Sequence, residues 1–295
     1  MISIIIIVKN DRKIENTLNA LKIIDKPEPI EIIVVDATIN NTLDDIKDTH
    51  GEVQWLKYKN SIQSKRYTIP EQRNEGIKAA TGEIIVFTDA SCVPEKYWLI
   101  NLLNPLYTEN EIITVGSFKS LGNPTLNDLL SERNAHKKYV DEYPTINMAF
   151  KNELINAIGY FDERFDYGSD MDFTWRVRNA GYKIRYVHTA LIWHDWGSVK
   201  DEFNRTILYG EARARLYLKH KNRWKNLVFQ DPLTFIYPIL ILSLPLTLFI
   251  PIYPVVFLVL IIKNIKEPKP IHIVVKHVLF GLGVLKEMGR SLLKL

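Results

Sequence analysis

The chain has 295 residues, 46% of them hydrophobic and 24% charged, so it can bury a full core and is not disordered. A single cysteine excludes a disulfide framework and any site built from several thiolates. The net charge of +4 is too small to indicate a nucleic-acid-binding protein, and we expect no nucleic acid among its partners.

Charge is distributed unevenly along the chain. Residues 233–262 carry no charge, whereas residues 263–295 carry seven Lys or Arg against two Glu. The part before this basic tail, 1–262, sums to a net charge of −1. We therefore predict a globular domain over 1–225 and an apolar, basic C-terminal part over 226–295.

Short runs rich in Ile and Val alternate with helical patterns in the globular domain. Near-continuous apolar runs are typical of strands buried on both faces of a parallel sheet. The alternation therefore predicts a doubly wound α/β fold, with a mostly parallel sheet and helices on both faces. The predicted strands are 2–8, 30–36, 83–88, 112–118 and 145–150, and the predicted helices are 11–24, 70–80, 95–107 and 124–140.

Acidic residues mark the ends of two of these strands. Asp36 ends the second strand, Asp89 follows the third, and Asp170 lies at the start of a later helix. Ligands of doubly wound sheets bind beyond the carboxyl ends of the strands, so these three acids predict a site. The alternative is that each Asp is a turn residue or a helix N-cap. The sequence has neither GxxxxGK[ST] nor GxGxxG after a strand, so a bound phosphate would need a cation or a metal.

Five further segments are informative when they are taken together and in order. They are ISIIIIVKN, VVDATIN, QRNEGIKAATGEIIVFTDASCVP, NMAFKNELINAIGYFDERF and GSDMDFTWRVRNAGYKI. These segments resemble those of inverting family 2 glycosyltransferases of the GT-A type, and the resemblance covers roughly residues 2–215. The third segment matches the family pattern RNxGxxxAxGexixflDaDxxxP and is the most specific of the five.

The resemblance assigns roles to particular residues. It implies that Asp170 is the base that activates the acceptor hydroxyl. The neighbouring Asp172 is expected to be structural and to pair with an Arg. The nucleotide-sugar donor is expected to contact four residues: Asp36, Arg73, Asp89 and Ser91. Asn74 and Gly76 are expected to serve a tight loop and to take no part in the chemistry.

Two positions depart from the family pattern. The DxD motif, which normally supplies two acids, here reads Asp89-Ala90-Ser91, and the ED pair reads Ser169-Asp170. The family still implies a divalent metal, Mn²⁺ or Mg²⁺, and we expect Asp89 and His194 to hold it. The alternative for His194 is a histidine packed in an aromatic loop between Trp193 and Trp196.

The C-terminal part is expected to attach to the cell membrane. We predict a helical hairpin or re-entrant loop with an outward leg over about 233–250, a turn at Pro251 and Pro254, and a shorter return leg. An interfacial helix through 271–293 would follow. Basic residues on both flanks of the hairpin predict that the catalytic domain is on the cytoplasmic side. The alternative is a buried dimer interface in a soluble protein.

The interfacial helix would carry Lys276, Lys286 and Arg290. A further basic stretch directly before the apolar segment also suits an anionic membrane surface. Its cations are Arg205, Arg213, Arg215, Lys219, Lys221, Arg223 and Lys225.

The function predicted from these features is transfer of a sugar, with inversion, from a nucleotide-sugar donor to a hydroxyl of a lipid-linked or saccharide acceptor. A nucleotidyltransferase is a less favoured alternative, because the segment KNDRKIENT after the first strand has no glycine. A non-catalytic scaffold with a degenerate transferase fold is the other alternative. Ser91 and Ser169 favour this scaffold. The presence of Arg73 and of three family acids, Asp36, Asp89 and Asp170, argues against it.

Overall fold

The structure is a computed structural model in which the chain divides into two compact units, Met1–Trp196 and Gly197–Leu295. The residues that the structure describes are 1–58, 69–122, 128–250, 255–263, 265 and 270–293.

The first unit is built around one mixed sheet. Its described strands are β1 (Ile2–Val8), β2 (Ile30–Asp36), β3 (Gln54–Lys57), β4 (Ile84–Asp89), β5 (Cys92–Pro94), β6 (Ile113–Ser120), β7 (Tyr139–Val140), β8 (Asn147–Lys151) and β9 (Ile184–His194). They lie side by side in the order β3-β2-β1-β4-β8-β6-β9-β5, and β7 also pairs with β9. Strands β1, β2, β3 and β4 run parallel to their neighbours within this group.

The sheet is mixed, so the prediction of a mostly parallel sheet is confirmed only in part. Strand β8 lies antiparallel to both β4 and β6, and β9 is antiparallel to β5 and β7. Four of the eight pairings between described strands are therefore antiparallel. An apolar run indicates that a strand is buried but does not indicate its direction, so the sequence pattern could not show this reversal.

The predicted strands themselves are confirmed. β1 and β2 have the predicted bounds, and the other three differ by a few residues at their ends. Ile4, Ile5 and Ile6 are all fully buried, so both faces of β1 are covered, as its continuous apolar run predicted.

Helices lie between the strands of the first unit. The helix predicted over 124–140 is observed only over Asp128–Asn134, because Tyr139–Val140 pairs with β9 as a strand. Residues 124–127 of this prediction lie outside the described part of the chain. Tyr and Val favour strand pairing where a partner edge is present. The helices are α1 (Ile14–Ile23), α2 (Asp44–Thr49), α3 (Ile69–Ala79), α4 (Trp98–Thr108), α5 (Asp128–Asn134), α6 (Leu154–Ile158) and α7 (Ser169–Asn179).

The second unit is helical in its described part. A 3₁₀ helix follows α8 and another follows α10. The helices are α8 (Val199–Lys219), α9 (Trp224–Phe229), α10 (Leu233–Leu242), α11 (Val255–Lys263) and α12 (Pro270–Leu292), and the 3₁₀ helices are Lys221–Arg223 and Leu244–Leu248.

Helices α8 and α12 pack closely and run parallel. Glu202 of α8 contacts Lys276, and Arg215, further along α8, contacts Glu287, further along α12. A Cβ atom added to Gly210 would lie 2.0 Å from the backbone oxygen of Phe280. The absence of a side chain at Gly210 therefore lets the two backbones approach.

No helix in the described part of the chain is long and apolar enough to cross a membrane. The outward leg predicted over 233–250 is not one helix, because α10 ends at Leu242 and a 3₁₀ helix with Pro245 in its first turn follows. The predicted turn at Pro251 and Pro254 lies outside the described residues.

The helix predicted through 271–293 is present as α12, but its cations make contacts within the second unit. Lys276 Nζ lies 2.6 Å from Glu202. Lys286 and Arg290 lie 2.6 Å and 2.7 Å from Glu211. These three cations are therefore paired with acidic residues of α8.

Candidate active site

Two acidic residues occupy the carboxyl ends of parallel strands. Strand β1 pairs with β2 on one side and β4 on the other, with Val8 opposite Asp36 and Ile7 opposite Asp89. Because the three strands run in one direction, both acids lie at the same edge of the sheet. The chain also changes direction across the sheet here, continuing from β1 to β2 and β3 before returning to β4. Ligands bind at such a switch in strand order.

Asp36 is fully buried, and protein groups contact both carboxylate oxygens. Oδ1 accepts the Thr38 N–H at 2.7 Å, and Oδ2 lies 2.9 Å from Lys47 Nζ and 3.3 Å from Lys57 Nζ. Burial raises the pKa of Asp36, but the bond from Thr38 and the ion pair with Lys47 outweigh it, so the pKa lies below its ordinary value. Contact of Asp36 with the donor stays a prediction.

Asp89, Ser91 and His194 lie together. Strand β5 places Cys92 opposite His194, the last residue of β9, and brings Ser91 Oγ within 3.1 Å of His194 Nε2. The same nitrogen lies 4.0 Å from Asp89 Oδ2. The His194 ring also packs against Trp196, with ring centroids 4.2 Å apart. An aromatic contact of the kind expected for a histidine packed in this loop is therefore present as well.

Arg73 and Asp170 approach the same edge from two helices. Arg73 of α3 is 7% exposed, and its Nη1 donates to Ser169 Oγ, at the start of α7, at 3.0 Å. Oδ1 of Asp170 accepts the Met171 N–H at 2.9 Å. Burial raises the pKa of Asp170 above its ordinary value, although the positive charge of Arg73 opposes this shift. A carboxylate with a raised pKa is suited to accept a proton near neutral pH.

Asp172, two residues after Asp170, has the expected structural role. It is fully buried, and its Oδ2 lies 2.9 Å from Arg176 Nε, one helical turn further along α7. The structure therefore separates the two acids of this helix: Asp172 is paired, and Asp170 lies beside Arg73.

Two residues of α3 fix the helix in place. Asn74 Nδ2 donates to the Phe161 backbone oxygen at 3.0 Å, and Asn74 Oδ1 accepts the Phe161 N–H at 2.9 Å. A Cβ atom on Gly76 would lie 2.4 Å from Ile5 Cγ2, so α3 packs directly on β1. The predicted tight-loop role of Asn74 and Gly76 is therefore wrong, because both residues lie within α3 and join this helix to Phe161 and to β1.

Lys47 and Lys57 were not predicted as site residues. They come from α2 and β3, and the ammonium groups of both contact Oδ2 of Asp36. Lys47 also lies 5.6 Å from the centroid of the Trp55 ring. A lysine on a short helix has no sequence signal that would connect it to a strand-end acid, whereas Lys57 could have been found from its place at the end of β3.

The fold is shared with solved structures. A mannosyltransferase, PcManGT from Pyrobaculum calidifontis, solved with GDP-Man and Mn²⁺, has a TM-score of 0.71 over 97% of this chain and 86% of its own, at 17% identity. S. aureus TarS 1-349 with UDP has a TM-score of 0.58 at 16% identity, covering 98% and 91% of the two chains. These likenesses define the class: an α/β fold of the GT-A kind.

Sequence comparison gives the family. Residues 3–185 match the profile of Glycosyl transferase family 2, and the chain belongs to this family, as the motifs predicted. The pre-mycofactocin glycosyltransferase of Mycobacterium tuberculosis is 27% identical over 215 residues, which are 68% of this chain but only 45% of that protein. Glycosyltransferase AglE of Haloferax volcanii is 24% identical over 236 residues, covering 74% of each chain.

Proposed function

We propose that this chain transfers a sugar from a nucleotide-sugar donor to an acceptor hydroxyl with inversion. The observation that carries the proposal is the convergence of Asp89, Arg73 and Asp170 at the ligand-binding edge of the sheet. Asp170 removes the proton of the acceptor hydroxyl as its oxygen attacks the anomeric carbon. The bond from that carbon to the diphosphate oxygen breaks, and its electron pair leaves with the nucleoside diphosphate.

Asp89, Ser91 and His194 fit a divalent cation. A carboxylate oxygen and an imidazole nitrogen, 4.0 Å apart, are a donor set that suits Mn²⁺. The described residues contain no group of three or more His, Cys, Asp or Glu that could hold a metal. We therefore propose that phosphate oxygens of the donor complete the coordination. The cation, when bound, would offset the charge of the diphosphate. The Mn²⁺ and GDP-Man of the Pyrobaculum mannosyltransferase support this assignment.

The test measures release of nucleoside diphosphate from a panel of UDP- and GDP-sugars with Mn²⁺ or Mg²⁺. Asp170→Asn should lower turnover about 10²–10⁴-fold while leaving donor affinity nearly unchanged, because the base acts on the acceptor. Asp141→Asn is the matched control, since Asp141 is exposed and pairs with Arg178. The anomeric configuration of the product, determined by NMR, tests inversion.

The outcomes separate the alternatives. Loss of a general base lowers turnover far more than threefold. If Asp170→Asn keeps more than about a third of wild-type turnover, Asp170 is not the base. Binding of nucleotide sugars without turnover by the wild-type chain would instead support the non-catalytic scaffold that Ser91 and Ser169 favour.

We also propose that the second unit attaches the enzyme to a cell membrane, with the catalytic unit on the cytoplasmic side and a lipid-linked or saccharide acceptor. The support is the distribution of exposed large hydrophobic side chains: among the residues that the structure describes, 23 of 31 lie in the second unit. Large exposed apolar surfaces mark sites of membrane or protein interaction. Exposed Lys221, Trp224 and Lys225 next to the uncharged segment suit the headgroup region of an anionic bilayer.

Flotation with lipid vesicles tests the attachment. The full chain should float with vesicles of phosphatidylcholine, bind more tightly when phosphatidylglycerol is added, and resist release by high salt. Replacing Leu248 and Phe249, 81% and 82% exposed, with Ser should weaken binding. Ile23→Ser, at an exposed position of the first unit, is the matched control. Failure to float with either vesicle would refute the attachment, and self-association in detergent would support the dimer interface.

A further inference from the structure

Both oxygens of the Asp36 carboxylate already have partners within the first unit. Oδ1 accepts the Thr38 N–H at 2.7 Å, and Oδ2 lies 2.9 Å from Lys47 Nζ and 3.3 Å from Lys57 Nζ. The residue is also fully buried. A ligand that donates to Asp36 would have to displace one of these partners, and breaking a buried ion pair is costly. A ligand at this end of β2 therefore meets the partners of Asp36 before the carboxylate itself.

Lys57 is the exposed member of this cluster. It ends β3 in parallel register with Asp36, and its Nζ contacts Asp36 Oδ2 and the backbone oxygen of Thr38. Among the described residues these are the two acceptors of Nζ, and an ammonium group has three N–H donors. The Lys57 side chain is 49% exposed, whereas that of Lys47 is 24% exposed and also contacts Asp44. One N–H of Lys57 is therefore available to a ligand.

The order of the strands places Lys57 at the nucleoside end of a donor bound as proposed above. The proposed cation site at Asp89 and His194 fixes the diphosphate near the end of β4. From β4 the sheet continues through β1 and β2 to β3. Since neighbouring strands lie about 4.8 Å apart, Lys57 is roughly 14 Å along the edge from Asp89. The distance from a metal-bound diphosphate to the far side of its base is of similar size.

We propose that Lys57 recognises the base of the donor by donating a hydrogen bond to a keto oxygen, and that Asp36 is the positioning residue that holds the Lys57 ammonium. An ammonium group donates and cannot accept. It therefore favours the C4 keto group of uracil or the C6 keto group of guanine over the amino groups of cytosine and adenine. This inference rests on the proposed function and adds the chemistry of the base. It differs from direct contact of Asp36 with the base, in which the carboxylate would accept the ring N–H beside the keto group.

A base analogue separates the two kinds of contact. In 4-thio-UDP a sulfur atom, which is a weaker acceptor, replaces the keto oxygen, and the ring N–H that a carboxylate would accept is kept. By isothermal titration calorimetry, the wild type should bind 4-thio-UDP about fivefold more weakly than UDP, since a hydrogen bond from a charged donor is weakened. If GDP binds more tightly than UDP, GDP and 6-thio-GDP form the equivalent pair. Equal affinities for the keto and thio nucleotides would overturn the inference.

Variants then assign the preference to a residue. Lys57→Met should weaken binding of UDP about tenfold and remove the preference for UDP over 4-thio-UDP, because the donor is gone. Loss of charge alone would weaken both nucleotides equally and leave the preference unchanged, which would contradict the inference. Lys57→Arg should keep the preference. Lys78→Met, at an exposed lysine of α3, is the matched control and should change neither affinity.

Asp36→Asn tests the positioning role. It should reduce the preference for UDP over 4-thio-UDP, because the Lys57 ammonium loses the carboxylate that holds it. A merely structural role would lower the affinity for both nucleotides alike, and that result would remove Asp36 as the positioning residue. If the variants at 36 and 57 fail to fold by thermal unfolding, the comparison of the keto and thio nucleotides on the wild type decides the question.

The two proposals fail in different ways. If the wild-type chain binds none of the UDP and GDP nucleotides and transfers no sugar, the proposed function fails and the role of Lys57 fails with it. If the wild type transfers sugar and Asp170→Asn abolishes transfer, but Lys57→Met leaves the preference between keto and thio nucleotides unchanged, only the role of Lys57 is removed.

Discussion

The side-chain amide of Asn74 and the backbone of Phe161, 87 positions apart in sequence, exchange two hydrogen bonds of 3.0 Å and 2.9 Å. The pair joins α3 to the turn before α7. The ring of Phe161 also stacks on Phe173 with centroids 4.5 Å apart and meets Phe87 edge-on at 5.6 Å. One polar contact therefore connects the helix that carries Arg73 to the aromatic core beneath the site.

Asn74→Ala should destabilise the first unit by about 2–4 kcal/mol, because buried backbone groups of Phe161 lose their partners. Thermal unfolding monitored by near-UV circular dichroism gives the change. Asn156→Ala, at an exposed position of α6, is the control and should stay within about 0.5 kcal/mol of wild type. A similar change for both variants would show that the contact with Phe161 is not important for stability.

Gly76→Ala should destabilise the protein by about 1–3 kcal/mol, as overpacking of a core does. The added methyl group would lie 2.4 Å from Ile5 Cγ2, and Ile5 is fully buried in β1 with little freedom to move. Gly51→Ala has open space around the new atom and serves as the control in the same unfolding experiment. Equal stability of the two variants would contradict the close packing of α3 on β1.

Turnover should fall at acidic pH as the Asp170 carboxylate becomes protonated. Burial raises the pKa of this carboxyl, so it becomes protonated, and inactive as a base, at a pH above the ordinary aspartate value of about 3.9. A profile of kcat/KM against pH measures the midpoint, with circular dichroism at each pH to show that the fold is intact. Full activity down to about pH 4 would be incompatible with Asp170 as the base.

Asp36→Asn should lower stability at neutral pH. The folded pKa of Asp36 lies below its unfolded value, so its contribution is fully present above about pH 4 and is lost as pH falls through the folded pKa. Urea unfolding at several pH values should therefore show a gap between wild type and variant that closes in acid. Asp45→Asn, which removes an exposed ion pair with Arg12, should give a smaller gap. If the difference in stability between wild type and Asp36→Asn is the same at every pH, the effect comes from packing and not from the charge of Asp36.

Ser91→Asp should tighten Mn²⁺ binding, because it adds a carboxylate beside Asp89 and His194. Titration with Mn²⁺ in the presence of UDP, followed by electron paramagnetic resonance, measures the affinity without any need for turnover. Ser91→Asn is a control of similar size without the charge. If both variants bind Mn²⁺ as the wild type does, the ion is held elsewhere.

Much of the first unit could be predicted, because burial determines its strands. The Ile- and Val-rich runs gave β1 and β2 their correct bounds. The direction of β8 could not be predicted, since an apolar run packs equally well in either direction. The prediction of a helix over 124–140 is wrong at Tyr139 and Val140, because these residues pair with β9, which lies far away in sequence.

The site residues could be predicted where the sequence has acidic residues at the ends of strands or at the start of a helix. Asp36 and Asp89 end their strands, and Asp170 lies in the first turn of α7, as expected. The contacts between elements could not be read from spacing. The ion pairs of Asp36 with Lys47 and Lys57 form only because β2, α2 and β3 meet in space. The hydrogen bond between Arg73 and Ser169 likewise depends on the contact between α3 and α7.

The close parallel packing of α8 and α12 has a consequence for biosynthesis. Parallel neighbours cannot form a simple helical hairpin, so the chain must complete the whole connection from Lys219 to Pro270 before the two helices can meet. While the ribosome makes that connection, the face of α8 around Gly210 has no partner. The contact between Gly210 and Phe280 therefore forms only after α12 has been synthesised, and until then this face of α8 is open to non-native association.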